Sequence, residues 1–323
     1  MAVINPLVGG KSSAIFYIKF GNNVVGYKVP MRSESINPSY SNIVNSEALL
    51  GKRTPVGTYI GGRTYEGSID IELFDVGDGV NYFNELLGLL FYTILGSYDD
   101  SNEKITFNTT DGPKIDYLVI NHESSTVVYS DVYVTGFNFR VPTDGIPTVT
   151  LDVRATGQGG SPSADIDKTN IEYSTFYNAE NLAFKVSTSD VSNKVYNFEL
   201  SLNQNLLDFY TYGDLDPQGL EPSTVDLGEI TIEYYPEAVE TIDLNTALET
   251  AFKDGTPLAV PIELDIESPL TSDIAKLIVN QAFVVEYTHD ISGNEFITAT
   301  LGLRASAEDI ELQGVKIETT TGA

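Results

Sequence analysis

A ten-residue segment occurs twice in this chain, and that recurrence constrains the fold more than any other feature. TVTLDVRATG at 148–157 is answered by TATLGLRASA at 298–307. Thr148, Thr150, Leu151, Arg154 and Ala155 return as Thr298, Thr300, Leu301, Arg304 and Ala305. A second pair lies upstream, GSIDIELF at 67–74 and GEITIEYY at 228–235, matching Gly67, Ile69, Ile71 and Glu72 to Gly228, Ile230, Ile232 and Glu233. Two strand-like matches in the same order argue for an internal duplication. The expected division is a first β domain with an N-terminal arm at 1–157, a linker at 158–170, and a second β domain with a C-terminal tail at 171–323. The stretch GQGGSPS at 157–163 has the composition of a flexible linker.

Each half reads as a one-sided sheet with a helix. Ile69, Ile71 and Leu73 alternate with Ser68, Asp70 and Glu72, and Ile230, Ile232 and Tyr234 alternate with Glu229, Thr231 and Glu233. Period two with one polar face marks strands packed on one side only. Apolar residues at helical spacing follow each strand: Val80, Phe83, Leu86, Leu87, Leu90 and Phe91, then Leu244, Ala247, Leu248, Ala251 and Phe252. Further strands are expected at 14–20 and 24–29 as a hairpin, at 117–120, 130–141 and 148–155, and at 258–266, 283–287 and 297–304. One more is expected in the tail after residue 308. The polar, Gly-rich stretches 36–66 and 203–227 read as long loops. The fold class is mainly β: two tandem, similar β-sandwich or barrel domains, each with one flanking α-helix.

Composition narrows the chemistry. The net charge is −28 with 46 acidic residues against 18 basic ones, so the surface repels nucleic acid at close range. Cysteine is absent, which removes disulfides, thiol nucleophiles and zinc–thiolate sites. There is no apolar run long enough to span a membrane and no signal-peptide pattern at the N-terminus. The two histidines, His122 and His289, sit beside turns, and no GxSxG elbow accompanies them. Asp165 and Asp167, and Asp214 and Asp216, are spaced like calcium ligands but lack the remainder of an EF-hand loop. AspValGlyAspGly at 75–79 lacks the Lys–Ser/Thr of a phosphate loop. No catalytic residue, metal site or cofactor is expected.

Three segments together resemble a known family: LLGKR…GGRTYEGSIDIELF at 49–74, the helix ending LLGLLFYTILG at 86–96, and VTGFNFRV at 134–141. The layout is similar to that of the tail tube proteins of long-tailed bacterial and archaeal viruses, in the type that carries two tube domains in one chain. The second half departs from the pattern, having no GlyLysArg equivalent and a less apolar helix, TALETAF at 246–252. The resemblance implies a structural virion protein with no enzymatic activity, made in the host cytoplasm and located in the tail. It implies rings stacked into a tube, a negatively charged channel for DNA, and neighbours that include the tape measure, terminator and tail tip proteins. Two domains per chain imply a trimeric ring with pseudo-sixfold symmetry. On this reading Asp70, Glu72, Glu229 and Glu233 line the lumen, and Lys52, Arg53, Tyr59 and Arg63, in the loop at 40–66, make ring-to-ring contacts. The competing reading is a two-domain β-sandwich adhesin or surface-layer protein.

Overall fold

The computed structural model describes residues 13–20, 23–29, 31–45, 57–76, 82–110, 112–122, 126–160, 166–168, 173–176, 181–186, 189–190, 192, 195–209, 217–235, 253–255, 257–258, 261–268, 273–290 and 298–317. Strands β1 (Ser13–Phe20), β2 (Asn23–Val29), β3 (Met31–Glu34), β4 (Asn37–Asn45), β5 (Gly57–Glu72) and β6 (Phe74–Val76) precede helix α1 (Tyr82–Leu95). Then come β7 (Gly96–Asp99), β8 (Lys104–Phe107), β9 (Ile115–Asn121), β10 (Thr126–Pro142) and β11 (Thr148–Gln158). Next are β12 (Ile166–Lys168), β13 (Tyr173–Phe176), β14 (Leu182–Val186), β15 (Ser189–Asp190), β16 (Val195–Phe209), β17 (Gly219–Val225) and β18 (Gly228–Tyr234). The chain ends with β19 (Pro257–Leu258), β20 (Ile262–Glu267), β21 (Ile274–Val279), β22 (Ala282–Asp290), β23 (Thr298–Ala305) and β24 (Ile310–Gln313).

Strand β10 organises the large sheet, because it changes partner along its length. One edge pairs with β11 over Tyr129–Arg140. The other pairs with β9 over Thr126–Val132 and with β16 over Gly136–Pro142. A bulge between Val134 and Gly136 separates the two stretches, and Asp131 just before it has a positive φ of 48°. An extra residue and a left-handed turn of backbone bend a strand sharply. One branch therefore runs β9–β1–β2–β12, and the other runs β16–β18–β23–β22–β19. On the far side of β11 lie β5 and its partners β3 and β4. The sheet thus passes from the first half of the chain into the second through the β10–β16 pair.

A second sheet, β15–β14–β20–β21–β24–β8–β7, also mixes the halves, since β24 pairs with β8. The strands are antiparallel apart from the short β12–β2 pair, neither sheet closes into a barrel, and the architecture is a mainly β sandwich. Its interior is one continuous apolar cluster that draws on α1 and on both sheets. Phe91 of α1 meets Phe137 and Phe139 of β10 edge-on at 4.8 and 5.7 Å; Phe139 meets Phe198 of β16, and Phe198 meets Phe184 of β14. This aromatic file, spanning helix and both sheets, supplies large buried areas with favourable edge-to-face geometry. On the second sheet, Lys185 and Lys276 bracket Glu263 at 3.0 and 3.2 Å, which ties β14, β20 and β21 together.

Most expected strands are present: 14–20 with 24–29 as the β1–β2 hairpin, then β9, β10, β11, β22, β23 and the tail strand β24. Helix α1 lies where the apolar spacing puts it, and Leu86, Leu87, Leu90 and Phe91 are fully buried. The second expected helix, 244–252, lies outside the described residues. The long loops require correction. Residues 37–45 and 57–72 are the strands of one extended hairpin, and 195–209 with 219–225 form another. Glycine and serine hide the pattern there, but backbone pairing does not need side-chain hydrophobicity. In the expected linker, 157–158 continue β11 and 166–168 form β12 against β2.

Candidate functional site

The feature that sets this molecule apart is a polar, acidic sheet face that runs through both halves. Ile69 and Ile71 of β5, with Leu73 just past its end, and Ile230, Ile232 and Tyr234 of β18 are buried, so the alternation puts Asp70, Glu72, Glu229 and Glu233 on the opposite face of the same sheet. That face is knitted by polar contacts. Thr150 Oγ1 donates to Asp70 Oδ1 at 2.8 Å, and Ser33 donates to the other oxygen of Asp70. Arg32 approaches Glu72 at 3.6 Å. Arg154 of β11 pairs with Glu66 at 2.8 Å and with Asp208 of β16 at 2.7 Å, so one guanidinium links the two halves. Asn138 Nδ2 donates to Glu199 Oε1 at 2.5 Å across the β10–β16 junction. Arg304 pairs with Glu229 at 2.7 Å.

The register shifts the upstream match by two residues. Arg154 stands opposite Glu66, and Arg304 stands opposite Glu229. Thr150 stands opposite Asp70, and Thr300 opposite Glu233. The residue that corresponds to Glu229 is therefore Glu66, and Asp70 corresponds to Glu233. Because a strand repeats every two residues, this shift leaves the faces unchanged.

Strands β10 and β22 correspond just as closely. Each carries a bulge at the same place, between Val134 and Gly136 and between Val284 and Glu286. Just past the bulge, Gly136 faces Asp152 in one case, and Glu286 faces Gly302 in the other. The carboxylate and the glycine have exchanged strands. A Cβ on Gly136 would lie 2.5 Å from Asp152 Oδ2, so the site holds one side chain and not two. Desolvation there, reinforced by the charge of Asp70, raises the Asp152 carboxyl above its ordinary value.

The two strands differ in what covers them. The β16–β17 hairpin lies over the first half at the bulge: Pro222 presses on Gly112, and the phenol of Tyr133, raised chiefly by burial, also feels the Glu221 carboxylate. At the matching place in the second half, Phe283 and Val285 are each 48% exposed. Beyond them, at Glu286 and Thr288, β23 is the one strand beside β22 among the described residues. On the far side of β5, β3 and β4 pair with β5 alone among the described residues.

Of the residues expected at ring-to-ring contacts, Lys52 and Arg53 lie outside the described residues. Tyr59 and Arg63 are on β5, opposite Ile43 and Tyr40, and Arg63 lies 5.6 Å over the ring of Tyr65. His122 is 3.3 Å from Glu34. Among the described residues no group of three or more His, Asp or Glu could hold a metal ion. Sequence reasoning missed Arg154, Asp208, Glu199 and Asp152. Arg154 was visible in the repeat, but its partner on β16 depends on a strand pairing that no local pattern announces.

A model of the family described as phage tail tube protein matches residues 40–305. No curated protein matches the chain. Among solved structures, one chain in the cryo-EM structure of the anti-feeding prophage (AFP) baseplate, 6-fold symmetrised, is 15% identical, with a TM-score of 0.31, over 42% of this chain and 93% of that one. With a polar sheet face, a continuous apolar core and a family match over most of its length, the chain belongs to the phage tail tube protein family, and is a structural protein of the virion tail.

Proposed function

We propose that this protein builds the wall of a tail tube through which DNA passes, with the acidic sheet face turned to the channel. The observation that carries this reading is the single sheet that crosses from one half to the other, with Asp70, Glu72, Glu199, Glu229 and Glu233 on the face away from the core. On this reading the two halves, 1–157 and 171–323, are copies of one tube domain, and three chains make a ring of six similar sheets. The matching bulges and Arg–Glu pairs support that equivalence. Asp70, Glu72, Glu229 and Glu233 then line the lumen. A wall of like charge keeps a polyanion from adhering as it moves, the reverse of a basic DNA-binding groove. The opposite face cannot serve, because it is buried in the core.

Stacking of rings is assigned to the two long hairpins, above all β4–β5 with Lys52, Arg53, Tyr59 and Arg63. Nothing in the reading requires catalysis, a cofactor or a bound metal. Neighbours would be further copies of the chain and other tail proteins such as the tape measure, terminator and tip. Electron microscopy of purified protein tests the proposal: stacked rings with a central channel are expected, and trypsin cleavage after Arg53 should slow in tubes. Persistent monomers at high concentration would turn the reading toward a two-domain adhesin or surface-layer protein.

A further inference from the structure

We infer that β22 of one chain takes β3 and the start of β4 of a second copy as its next strand, in the register that β10 uses internally with β16. The inference rests on the tube reading but names the seam. It follows from transposing a junction the chain already contains. Inside the molecule, Asn138 of β10 stands opposite Ser201 of β16. Asn138 corresponds to Thr288, since both lie two residues past the shared bulge position. Ser201 faces Glu229 on β18, and Asn37 faces Glu66 on β5, so Ser201 corresponds to Asn37. The same relation therefore places Thr288 of one chain opposite Asn37 of the next.

Independent observations agree with this placement. Glu286 and Thr288 on one edge, and Ser35, Asn37, Pro38 and Ser39 on the other, are exposed. Pro38 has no N–H to lose and is at home on a sheet edge. The exposed pair Phe283 and Val285 occupies the place that the β16–β17 hairpin covers in the first half. In the transposed arrangement the β4–β5 hairpin of the incoming chain covers it. An open strand edge beside an apolar patch invites another strand, and a second copy brings the matching edge. The contact is head-to-tail, so it closes into a ring when the rotation allows.

The chain contains no cysteine, which makes the seam directly testable. Asn37→Cys combined with Thr288→Cys, under mild oxidation, should give covalent dimers and trimers on a non-reducing gel, and nothing larger if three chains close the ring. Either substitution alone should give none. Asn138→Cys with Ser201→Cys supplies the internal reference, closing within one chain. Val285→Lys, at an exposed position that should not disturb folding, should leave circular dichroism unchanged and abolish rings, with the chain running at its 35.2 kDa monomer mass. If rings form while the 37/288 pair stays uncross-linked and the 138/201 pair closes, the seam is wrong and the tube reading stands. If neither rings nor cross-links form, both fall. Assembly of Val285→Lys at the wild-type level would also overturn the seam.

Discussion

Two arginines in corresponding positions do different work. Arg154 is 21% exposed and held by carboxylates from both halves, whereas Arg304 is 51% exposed and, among the described residues, is paired with Glu229 alone. Arg154→Gln should cost about 1–2 kcal/mol, between the values for surface and buried pairs, because it leaves Glu66 and Asp208 facing each other uncompensated. Arg304→Gln should cost less than about 0.5 kcal/mol. Urea denaturation of the two variants checks the ranking, and equal losses would contradict it. Asp152 offers a test with pH. Its carboxyl is raised in the folded state by desolvation and then by Asp70, so folding disfavours the charged form. The sign follows: its ionisation weakens the fold as pH rises through the raised value, and its penalty vanishes below the ordinary carboxylate range. Asp152→Asn should therefore raise Tm at pH 7 and leave it unchanged near pH 3. The identity of these residues was readable only in part. The repeat marked Arg154, but Asp152 matters because of Gly136 on another strand, and sequence spacing does not show which strands meet.

At the scale of elements, alternation was the dependable signal. It placed Asp70, Glu72, Glu229 and Glu233 on one face because a half-buried strand cannot exchange faces without exposing its isoleucines. It failed in the hairpins β4–β5 and β16–β17, where exposed edges and glycine remove the need for apolar alternation. It also matched Gly67 to Gly228, two residues out of register, since isoleucines recur every second position in both strands. Helix α1 was legible because its apolar spacing is dense and its docking face is aromatic. Phe91, fully buried between Phe137 and Phe139, pins that helix to β10 near the junction of the halves. Phe91→Ala should cost about 3–5 kcal/mol, the range for emptying a buried aromatic site. Thermal unfolding followed by circular dichroism reads it, and a loss below about 1 kcal/mol would mean that the helix is held elsewhere.

For the whole molecule, the repeat announced two similar halves, while their joining through β10 and β16 and through β24 and β8 came only with the fold. Long-range pairing of that kind is set by packing and leaves no local mark. On the proposed reading it also makes the chain a segment of a larger wall, with an internal seam at the β10–β16 junction and, among the described residues, open edges at β22 and at β3–β4. Acidity belongs to this scale as well: on the proposed reading a net charge of −28 acts as a field over the channel rather than at any one residue. The most direct test is the number of chains in one ring, by mass measurement on solubilised rings together with a cryo-EM map of the tube. Three chains per ring are expected, with six similar sheets around the channel and Asp70, Glu72, Glu229 and Glu233 facing inward. Six chains in a single-layer ring, or those carboxylates on the outer wall, would contradict it.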